Sequence, residues 1–200
     1  MKEPAWEQAR AAFTIEAGAL MEMAETVDKA AFSRAVELLA LAPRIAASGC
    51  GHSGIACMHF AHLMCCIERP ARFIPPSEAL HGGLGFIQRG DVMLLASRGG
   101  RTAELLPIPA ICKKKGAAVI AVTENLSSPM ALEADLTLKI TVPREADPGN
   151  TQGTTSFTVL SVLFDALQTA LIVKTAYRDE QFALIHPGGA VGERLNRPKP

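Results

Sequence analysis

The sequence has 200 residues, 48% of them hydrophobic, and equal numbers of acidic and basic residues give it a formal net charge of zero. This composition predicts one domain with a sizeable core, and it excludes both a disordered chain and a broad basic surface for nucleic acid. The first 40 residues are predicted to form two helices, one beginning near Pro4 and the other capped by Asp28. We expect these helices to pack on the domain or on a neighbouring subunit.

After this helical preface, short apolar runs alternate with helical segments. The runs are predicted strands at 44–48, 71–74, 91–96, 117–122 and 136–140, and the segments between and after them are predicted helices at 53–68, 77–83, 102–115 and 154–176. Such alternation is typical of a parallel sheet with helices on both faces, so we predict a three-layer α/β sandwich over 41–196. A turn at 185–190 leads into a last short helix, and 197–200 are predicted to be a frayed tail.

The sequence also carries expectations about the compartment. We find no apolar run that approaches the roughly twenty residues needed to cross a bilayer, and the charged N-terminus lacks a signal-peptide core. The five cysteines are odd in number and lie mostly in apolar contexts, which favours free thiols. We therefore expect a soluble cytoplasmic protein with neither a membrane nor a nucleic acid as partner.

Three glycine- or hydroxyl-rich turns follow predicted strands, and each is predicted to open a helix. The carboxyl ends of parallel strands share one edge, and helix N-termini there present free N–H groups to anions. The turns therefore predict a site for a phosphate-bearing ligand, although a strand-to-helix turn can also stand without a ligand. The predicted binding residues are Gly51, Ser53, Ser97, Thr102, Thr154, Thr155 and Ser156.

Five titratable residues near these turns are candidates for proton transfer, namely His52, His81, Glu104, Glu145 and His186. Carboxylates and imidazoles around a sugar suit the movement of a proton between adjacent carbons. Three of them have a specific structural alternative. The helix dipole favours Glu104 in a first helical turn. Glu145 could pair with a nearby arginine (Arg144 or Arg101), and His186 could be a turn residue.

One spacing of histidines and cysteine is compatible with a metal site. His59, His62 and Cys65 recur every three residues and so lie near one face of a predicted helix. That pattern can bind zinc, but in a mostly apolar helix it is more typical of core or interface packing.

Six stretches of the sequence follow one another in a recognisable order, namely GCGHSG at 49–54, PPSEALHGGLG at 75–85, SRGGRTAEL at 97–105, TVPREADP at 141–148, TTS at 154–156 and FALIHPGGAVGERL at 182–195. Together they resemble the sugar isomerase (SIS) domain, and more narrowly the isomerase domain of bacterial arabinose-5-phosphate isomerases. The family's usual C-terminal pair of CBS modules has no counterpart in these 200 residues.

The resemblance implies a five-stranded flavodoxin-like fold that assembles as a tetramer in which neighbouring subunits complete the site. It implies aldose–ketose isomerisation of a sugar phosphate through an enediol, without a redox cofactor. The family's acidic and histidine site positions match His81, Glu104, Glu145 and His186. In the leading hypothesis, Glu145 or His186 moves the carbon-bound proton, while Glu104 and His81 serve ring opening and the hydroxyl protons.

The chain departs from the family pattern in three loops. His52 replaces the lysine of the first loop, His81-Gly82-Gly83 replaces H-G-D, and the S-N-S-G-E loop becomes Ser97-Arg98-Gly99-Gly100-Arg101. Arg98 or Arg101 could hold phosphate in place of the lost serine. The histidines His52, His81 and His186, with Glu104 or Glu145, could instead gather around zinc or another divalent ion.

These departures keep other functions open. The altered loop and the missing lysine favour a non-catalytic sugar-phosphate-binding module with a sensing or regulatory role, whereas the retained glutamates and histidines favour an enzyme. A structural oligomer with a vestigial site is the third alternative.

Overall fold

The computed structural model describes residues 3–196 as a five-stranded sheet between two layers of helices. The sheet order is β2-β1-β3-β4-β5, and every pair of neighbouring strands is parallel. This is the flavodoxin-like order, so the predicted fold class is confirmed. The strands are β1 (Ile45–Gly49), β2 (Ala71–Phe73), β3 (Val92–Ala96), β4 (Ala118–Thr123) and β5 (Leu136–Lys139). The predicted tail at 197–200 lies outside the described residues.

Nine helices are found in the described part of the chain, and a 3₁₀ turn spans Gly83–Phe86. Helices α1, α2, α3 and α7 cover one face of the sheet, α4, α5 and α6 cover the other, and α8 and α9 follow α7. The helices are α1 (Glu3–Thr26), α2 (Lys29–Leu41), α3 (Gly51–Cys66), α4 (Pro76–Ala79), α5 (Ile108–Lys115), α6 (Pro129–Glu133), α7 (Thr154–Thr175), α8 (Asp179–Ile185) and α9 (Gly189–Leu195).

The central strands are apolar along their whole length because both of their faces are covered. In β3, Val92 and Leu94 pack in the core beneath α3 and α7, whereas Met93 and Leu95 pack in the core beneath α5. All five residues of β3 are buried, as are all five residues of β1. A parallel sheet that is buried on both faces requires this pattern, and the sequence carries it.

The two N-terminal helices pack on the domain within the same chain. Ala19 and Met23 of α1, and Leu39 of α2, belong to the same buried core as α3 and α7. Asp28 caps α2 as predicted, since its carboxylate accepts hydrogen bonds from the N–H groups of Ala30 and Ala31. These helices therefore complete the helical layer that contains α3 and α7, on one face of the sheet. The division at residue 40 stays a prediction.

Helix α7 contradicts the expectation that no segment is long and apolar enough to cross a bilayer. Its 22 residues reach a mean hydropathy of 1.8 over an 18-residue window, which meets that description by length and composition alone. Leu163, Phe164, Leu167 and Leu171 are nonetheless buried in the core, and Phe164 packs against Phe60 of α3 at 4.8 Å between ring centroids. The apolar composition of α7 is thus explained in part by its place in the core of the domain.

The helix predicted over 102–115 begins six residues later, at Ile108, and the segment before it is a series of turns. Proline has no backbone N–H, so Pro107 and Pro109 cannot donate the helical hydrogen bonds to the carbonyls of residues 103 and 105. Consequently the turn at Ser97–Thr102 does not open a helix. The other predicted ends shift less, and the helix predicted over 77–83 is the single turn α4 followed by the 3₁₀ turn.

The close contact between β1 and α3 provides a test of the fold. A Cβ on Gly54 would lie 2.5 Å from the carbonyl oxygen of Gly49, whereas a Cβ on Gly18, in α1, would meet nothing within 4 Å. We expect Gly54→Ala to lower the free energy of unfolding by roughly 1–3 kcal/mol, because backbone must move to admit the methyl group. Gly18→Ala is the control and should raise it by up to about 1 kcal/mol. Urea unfolding followed by circular dichroism measures both, and a wild-type midpoint for Gly54→Ala would contradict the packing argument.

Candidate active site

The candidate site lies where the strand order reverses, between β1 and β3. Gly49 and Ala96 end these strands and are paired in register, so the turns that follow them start side by side. The first turn enters α3 through Cys50, whose side chain makes no capping hydrogen bond, and Gly51, which has a φ of 54°. With no side-chain cap, the N–H groups that begin α3 stay available, and Ser53 adds a half-buried hydroxyl beside them.

The second turn, Ser97–Thr102, is closed by its own hydroxyl groups. The hydroxyls of Ser97 and Thr102 are 2.9 Å apart, and the N–H of Gly100 donates to Ser97 Oγ over 3.1 Å. Gly100 has a φ of 63°, and a Cβ there would collide with the side chain of Ser128. The turn is therefore rigid, and it leaves the side chain of Arg101 exposed beside it.

The third turn, which leads into α7, already binds an anion, and this anion is a carboxylate of the protein itself. The carboxylate of Glu145 accepts a hydrogen bond from the N–H of Ser156 over 3.0 Å and from the hydroxyl of Thr154 over 3.4 Å. The N–H of Ala146 donates to Thr154 Oγ1. Glu145 thus occupies the start of α7, where the sequence predicted that Thr154, Thr155 and Ser156 would bind phosphate.

Arg98 fixes this carboxylate from the other side. Its guanidinium reaches Glu145 Oε1 at 2.5 Å and Glu124 Oε2 at 2.9 Å, and it donates to the carbonyl oxygen of Val142 over 3.2 Å. All three guanidinium nitrogens of Arg98 therefore have protein acceptors, so the phosphate role predicted for either arginine is better met by Arg101. The arginine that forms an ion pair with the Glu145 carboxylate is Arg98, and neither Arg144 nor Arg101.

The environment of Glu145 keeps it ionised. Burial by itself raises the pKa of this carboxyl, but the hydrogen bonds from Ser156 and the positive charge of Arg98 outweigh burial and lower the pKa below its usual value. The residue is only 2% exposed. A carboxylate stabilised in this way is a weak proton acceptor, so its geometry suits positioning better than proton transfer.

His52 lies across from the start of α7. Its Nδ1 is 3.1 Å from the carbonyl oxygen of Gly153, and its ring meets Phe157 edge-on at 6.0 Å between centroids. Because a carbonyl oxygen only accepts, Nδ1 carries the hydrogen, and Nε2 of the neutral ring is left as an acceptor. The ring borders an open cavity of about 410 Å³ lined by Glu16, His52, Ile55, Gly153, Thr154, Phe157 and Thr158.

The other predicted proton-transfer residues are placed differently. Glu104 is exposed and precedes α5, so the prediction that it lies in the first turn of a helix is wrong. Its carboxylate is nevertheless close to the Gly49–Gly54 turn. Burial raises the pKa of the Cys50 thiol, and the negative charge of Glu104 adds to that rise. His81 is exposed on the loop between α4 and the 3₁₀ turn.

His186 is not brought to the site of its own chain. It caps the end of α8, where its ring packs on Phe182 at 5.0 Å between centroids. Phe182 borders a cavity with Cys66, the last residue of α3, and with Tyr177, which follows α7. His52 and Gly153 lie at the opposite ends of these helices, which at 1.5 Å per residue are about 24 and 33 Å long.

The structure brings together none of the predicted metal ligands as a set. Within residues 3–196, no group of three His, Cys, Asp or Glu side chains is close enough to hold an ion. His59 pairs with Asp165 at 2.9 Å, and His62 contacts Cys66 at 3.5 Å instead of Cys65. Within the proposed trio of His52, His81 and His186, the length of α3 and α7 separates His186 from His52.

Sequence reasoning missed the one carboxylate among the described residues that line the cavity. Glu16 lies on α1, and its carboxylate accepts a hydrogen bond from Thr158 on α7 over 2.9 Å. A signal was present, because Glu16 stands four residues after Ala12 and three before Ala19, on the stripe of α1 that faces the core. A charged residue on an apolar stripe indicates a polar contact there.

Known proteins identify the family. Residues 38–170 match the model described as the SIS domain. Arabinose 5-phosphate isomerase KdsD of Pseudomonas aeruginosa is 39% identical over 165 residues, which make up 82% of this chain and 51% of that protein. The probable arabinose 5-phosphate isomerase of Haemophilus influenzae is 35% identical over 188 residues, or 94% of this chain and 56% of that protein. The chain thus spans about half the length of these curated relatives.

Solved structures agree with this assignment. A candidate sugar-phosphate isomerase of Listeria monocytogenes is 39% identical with a TM-score of 0.91, over 94% of this chain and 99% of that one. A protein of Escherichia coli CFT073 in complex with A5P is 29% identical with a TM-score of 0.87, over 94% of this chain and 100% of that one. The chain therefore belongs to the SIS domain family, which confirms the resemblance.

The buried ion pair predicts how stability depends on pH. Because folding lowers the pKa of Glu145, the residue stabilises the fold fully above its unfolded pKa of about 4.3, and this contribution is lost as pH falls through the folded-state pKa. We expect Glu145→Gln to lower the free energy of unfolding by roughly 1–3 kcal/mol at pH 7, with a difference from wild type that shrinks below about pH 4. Urea unfolding across a pH series measures this difference. Glu124→Gln, at the more exposed partner of Arg98, should have a smaller effect, and a difference for Glu145→Gln that does not change with pH would refute the argument.

Proposed function

We propose that this SIS-family chain is a sugar-phosphate aldose–ketose isomerase that acts through an enediol. The observation that carries the proposal is the pairing of two anion-binding turns, Gly49–Gly54 and Ser97–Thr102, with an imidazole and a carboxylate at the same sheet edge. The names of the curated relatives and the complex of the Escherichia coli protein with A5P, which we read as arabinose 5-phosphate, support a pentose phosphate as substrate. We place the enzyme in the cytoplasm and assign it no cofactor.

The phosphate is assigned to the two turns. Free N–H groups at Gly51 and Ser53 offer donors to phosphate oxygens. Ser97 and Thr102 add one more donor, from whichever hydroxyl accepts the hydrogen bond between the two. Arg101 supplies a positive charge next to them, in place of a serine that the family loop has and this chain lacks. Arg98 and the hydroxyls of Thr154 and Ser156 act indirectly, since they surround Glu145.

The proton transfer follows from the same geometry. A base removes the proton from the carbon next to the carbonyl, and the enediol is protonated on the neighbouring carbon, while the hydroxyl proton passes between the two oxygens. The ion pair with Arg98 makes Glu145 a poor base, so we assign the carbon-bound proton to an imidazole. The site has two imidazoles for proton transfer, His52 of the same chain and His186 of a neighbouring copy. Glu104 and His81 keep the predicted roles in ring opening and in moving the hydroxyl protons.

The position of His186 supports assembly of several copies, which we propose to be a homotetramer. Its imidazole lies at the far end of α7 from the cavity of its own chain, so it can reach a site only in another copy. Apolar side chains exposed on α1 and α3 suit such contacts, notably Trp6, Phe13, Ile55 and Met58. Their burial between copies would remove apolar surface from water.

One observation favours a second candidate function, a non-catalytic sugar-phosphate-binding module with a regulatory role. The pairing of Arg98 with Glu145 neutralises a carboxylate that the resemblance places in the active site, and His52 stands where the family has lysine. Such a module would bind the same ligand without exchanging its protons.

The two functions differ in one measurement. The protein is incubated with arabinose 5-phosphate in heavy water and the sugar is followed by NMR. An isomerase forms the corresponding ketose phosphate and incorporates deuterium at the carbon that receives the proton. Binding by calorimetry with neither exchange nor product would refute the isomerase and support the binding module.

The shared-site arrangement predicts complementation between two inactive variants. His52→Ala and His186→Ala should each lower kcat by about a hundredfold or more, the usual contribution of a group that transfers a proton. Copies of the two variants, co-expressed with different tags and purified through both, should regain part of the activity because some sites in the mixed assembly keep both histidines. Thermal unfolding and size-exclusion chromatography check that each variant folds and assembles. Mixed assemblies as inactive as either parent would contradict a shared site.

A further inference from the structure

The cavity beside His52 contains a polar side chain that the proposed chemistry does not use. Its lining includes Thr154, Phe157 and Thr158 of α7 and Glu16 of α1. The volume of about 410 Å³ falls in the roughly 300–1,000 Å³ range of small-molecule sites. A cavity that opens at the substrate edge of the sheet and borders His52 is in reach of the ligand.

Glu16 is held in one orientation. Thr158 Oγ1 donates to Glu16 Oε2 over 2.9 Å, and the glutamate is half-buried on the core-facing stripe of α1. This bond uses one lone pair of a carboxylate that can accept about four hydrogen bonds. The remaining acceptor positions border the cavity, and their direction is restrained by the contact between α1 and α7.

The groups around this cavity favour hydroxyl donors over an anion. Glu16 is an acceptor, and Nε2 of neutral His52 is also an acceptor because Nδ1 donates to Gly153. A phosphate placed here would be repelled by the Glu16 carboxylate, whereas sugar hydroxyls can donate to it. Phe157 adds an apolar surface to the lining, which suits the carbon-bound hydrogens of a sugar.

We propose that this cavity binds the carbonyl end of the sugar phosphate and that Glu16 accepts hydrogen bonds from the hydroxyls next to the carbonyl. The phosphate then lies on the side of the Gly49–Gly54 and Ser97–Thr102 turns, so the substrate has one direction in the site. This proposal rests on the proposed function for its ligand class. Glu16 is the residue that contacts substrate, and Thr158 is a positioning residue that acts through Glu16.

The test separates the sugar from its phosphate. Calorimetry measures the Kd of wild-type protein and of Glu16→Gln for arabinitol 5-phosphate, which has the hydroxyls but no carbonyl and so cannot isomerise, and for inorganic phosphate. Glu16→Gln should weaken arabinitol 5-phosphate by about tenfold, as expected for loss of hydrogen bonds to a charged acceptor, and leave the affinity for inorganic phosphate unchanged. Glu25→Gln, an exposed change on the same helix, is the matched control and should bind both ligands as wild type does.

A second pair of variants tests the positioning role. Thr158→Val removes the hydroxyl that holds Glu16 and should weaken arabinitol 5-phosphate several-fold, whereas Thr158→Ser keeps the hydroxyl and should restore wild-type binding. These substitutions also cover the case in which Glu16→Gln fails to fold. A merely structural role for Thr158 would affect both ligands together.

The outcomes of this binding test can be distinguished from the outcomes of the isomerase test in heavy water. If Glu16→Gln binds arabinitol 5-phosphate as tightly as wild type, or loses both ligands equally, the assignment of the cavity is overturned. It is also overturned if wild-type protein binds arabinitol 5-phosphate no more tightly than inorganic phosphate. If the selective loss is observed while wild-type protein exchanges no deuterium, the cavity assignment holds and the isomerase assignment fails.

Discussion

The carboxylate of Glu145 is the constraint on which the arrangement of the site depends. It is buried, it receives hydrogen bonds from the first turn of α7, and it is ion-paired with Arg98 at the end of β3. One side chain therefore connects α7, a helix of 22 residues, to the turn after a central strand and fills the anion position at the start of that helix. Loss of this charge would leave both a guanidinium and a helix N-terminus without their partner, which is costly in a buried setting.

This internal anion separates the site into regions of different electrostatic character. On the side of β1 and β3, uncapped N–H groups, hydroxyls and Arg101 favour a negative ligand. On the side of α1 and α7, Glu145 is already neutralised, and the remaining free groups, Glu16 and His52, are acceptors. The two ends of a sugar phosphate have the same asymmetry, with an anionic group at one end and hydroxyl donors at the other.

Much of the fold was predictable from local patterns, because a sheet that is buried on both faces requires apolar strands and glycine turns that are visible in the amino-acid sequence. The five strands, Asp28 as a cap and the turn at Gly49–Gly54 were all predicted in this way. The start of α5 was misplaced because Pro107 and Pro109 remove donors that the apolar pattern does not report. Helix α7 was predicted at its full length, but its mean hydropathy was underestimated because Ser161, Asp165 and Gln168 interrupt the apolar run.

The site was predictable in composition but not in pairing. Residues such as Arg98 and Glu145 are 47 apart in sequence, and nothing local indicates that they meet. The same holds for Glu16 and Thr158, and for His186, whose distance from the cavity follows from helix lengths and packing. Family resemblance supplied the residues that belong together, and only the three-dimensional arrangement separated those that meet within a chain from those that do not.

The contact between His52 and Gly153 joins two positions that are 101 residues apart. Gly153 has a φ of 70°, and a Cβ there would lie 2.7 Å from Nδ1 of His52, so the imidazole and a side chain at 153 exclude each other. A side chain at 153 would therefore displace the imidazole from this position, and glycine at 153 leaves room for it. Natural variation in homologous chains should show these two positions changing together, with bulkier residues at 153 confined to chains that have no imidazole at 52.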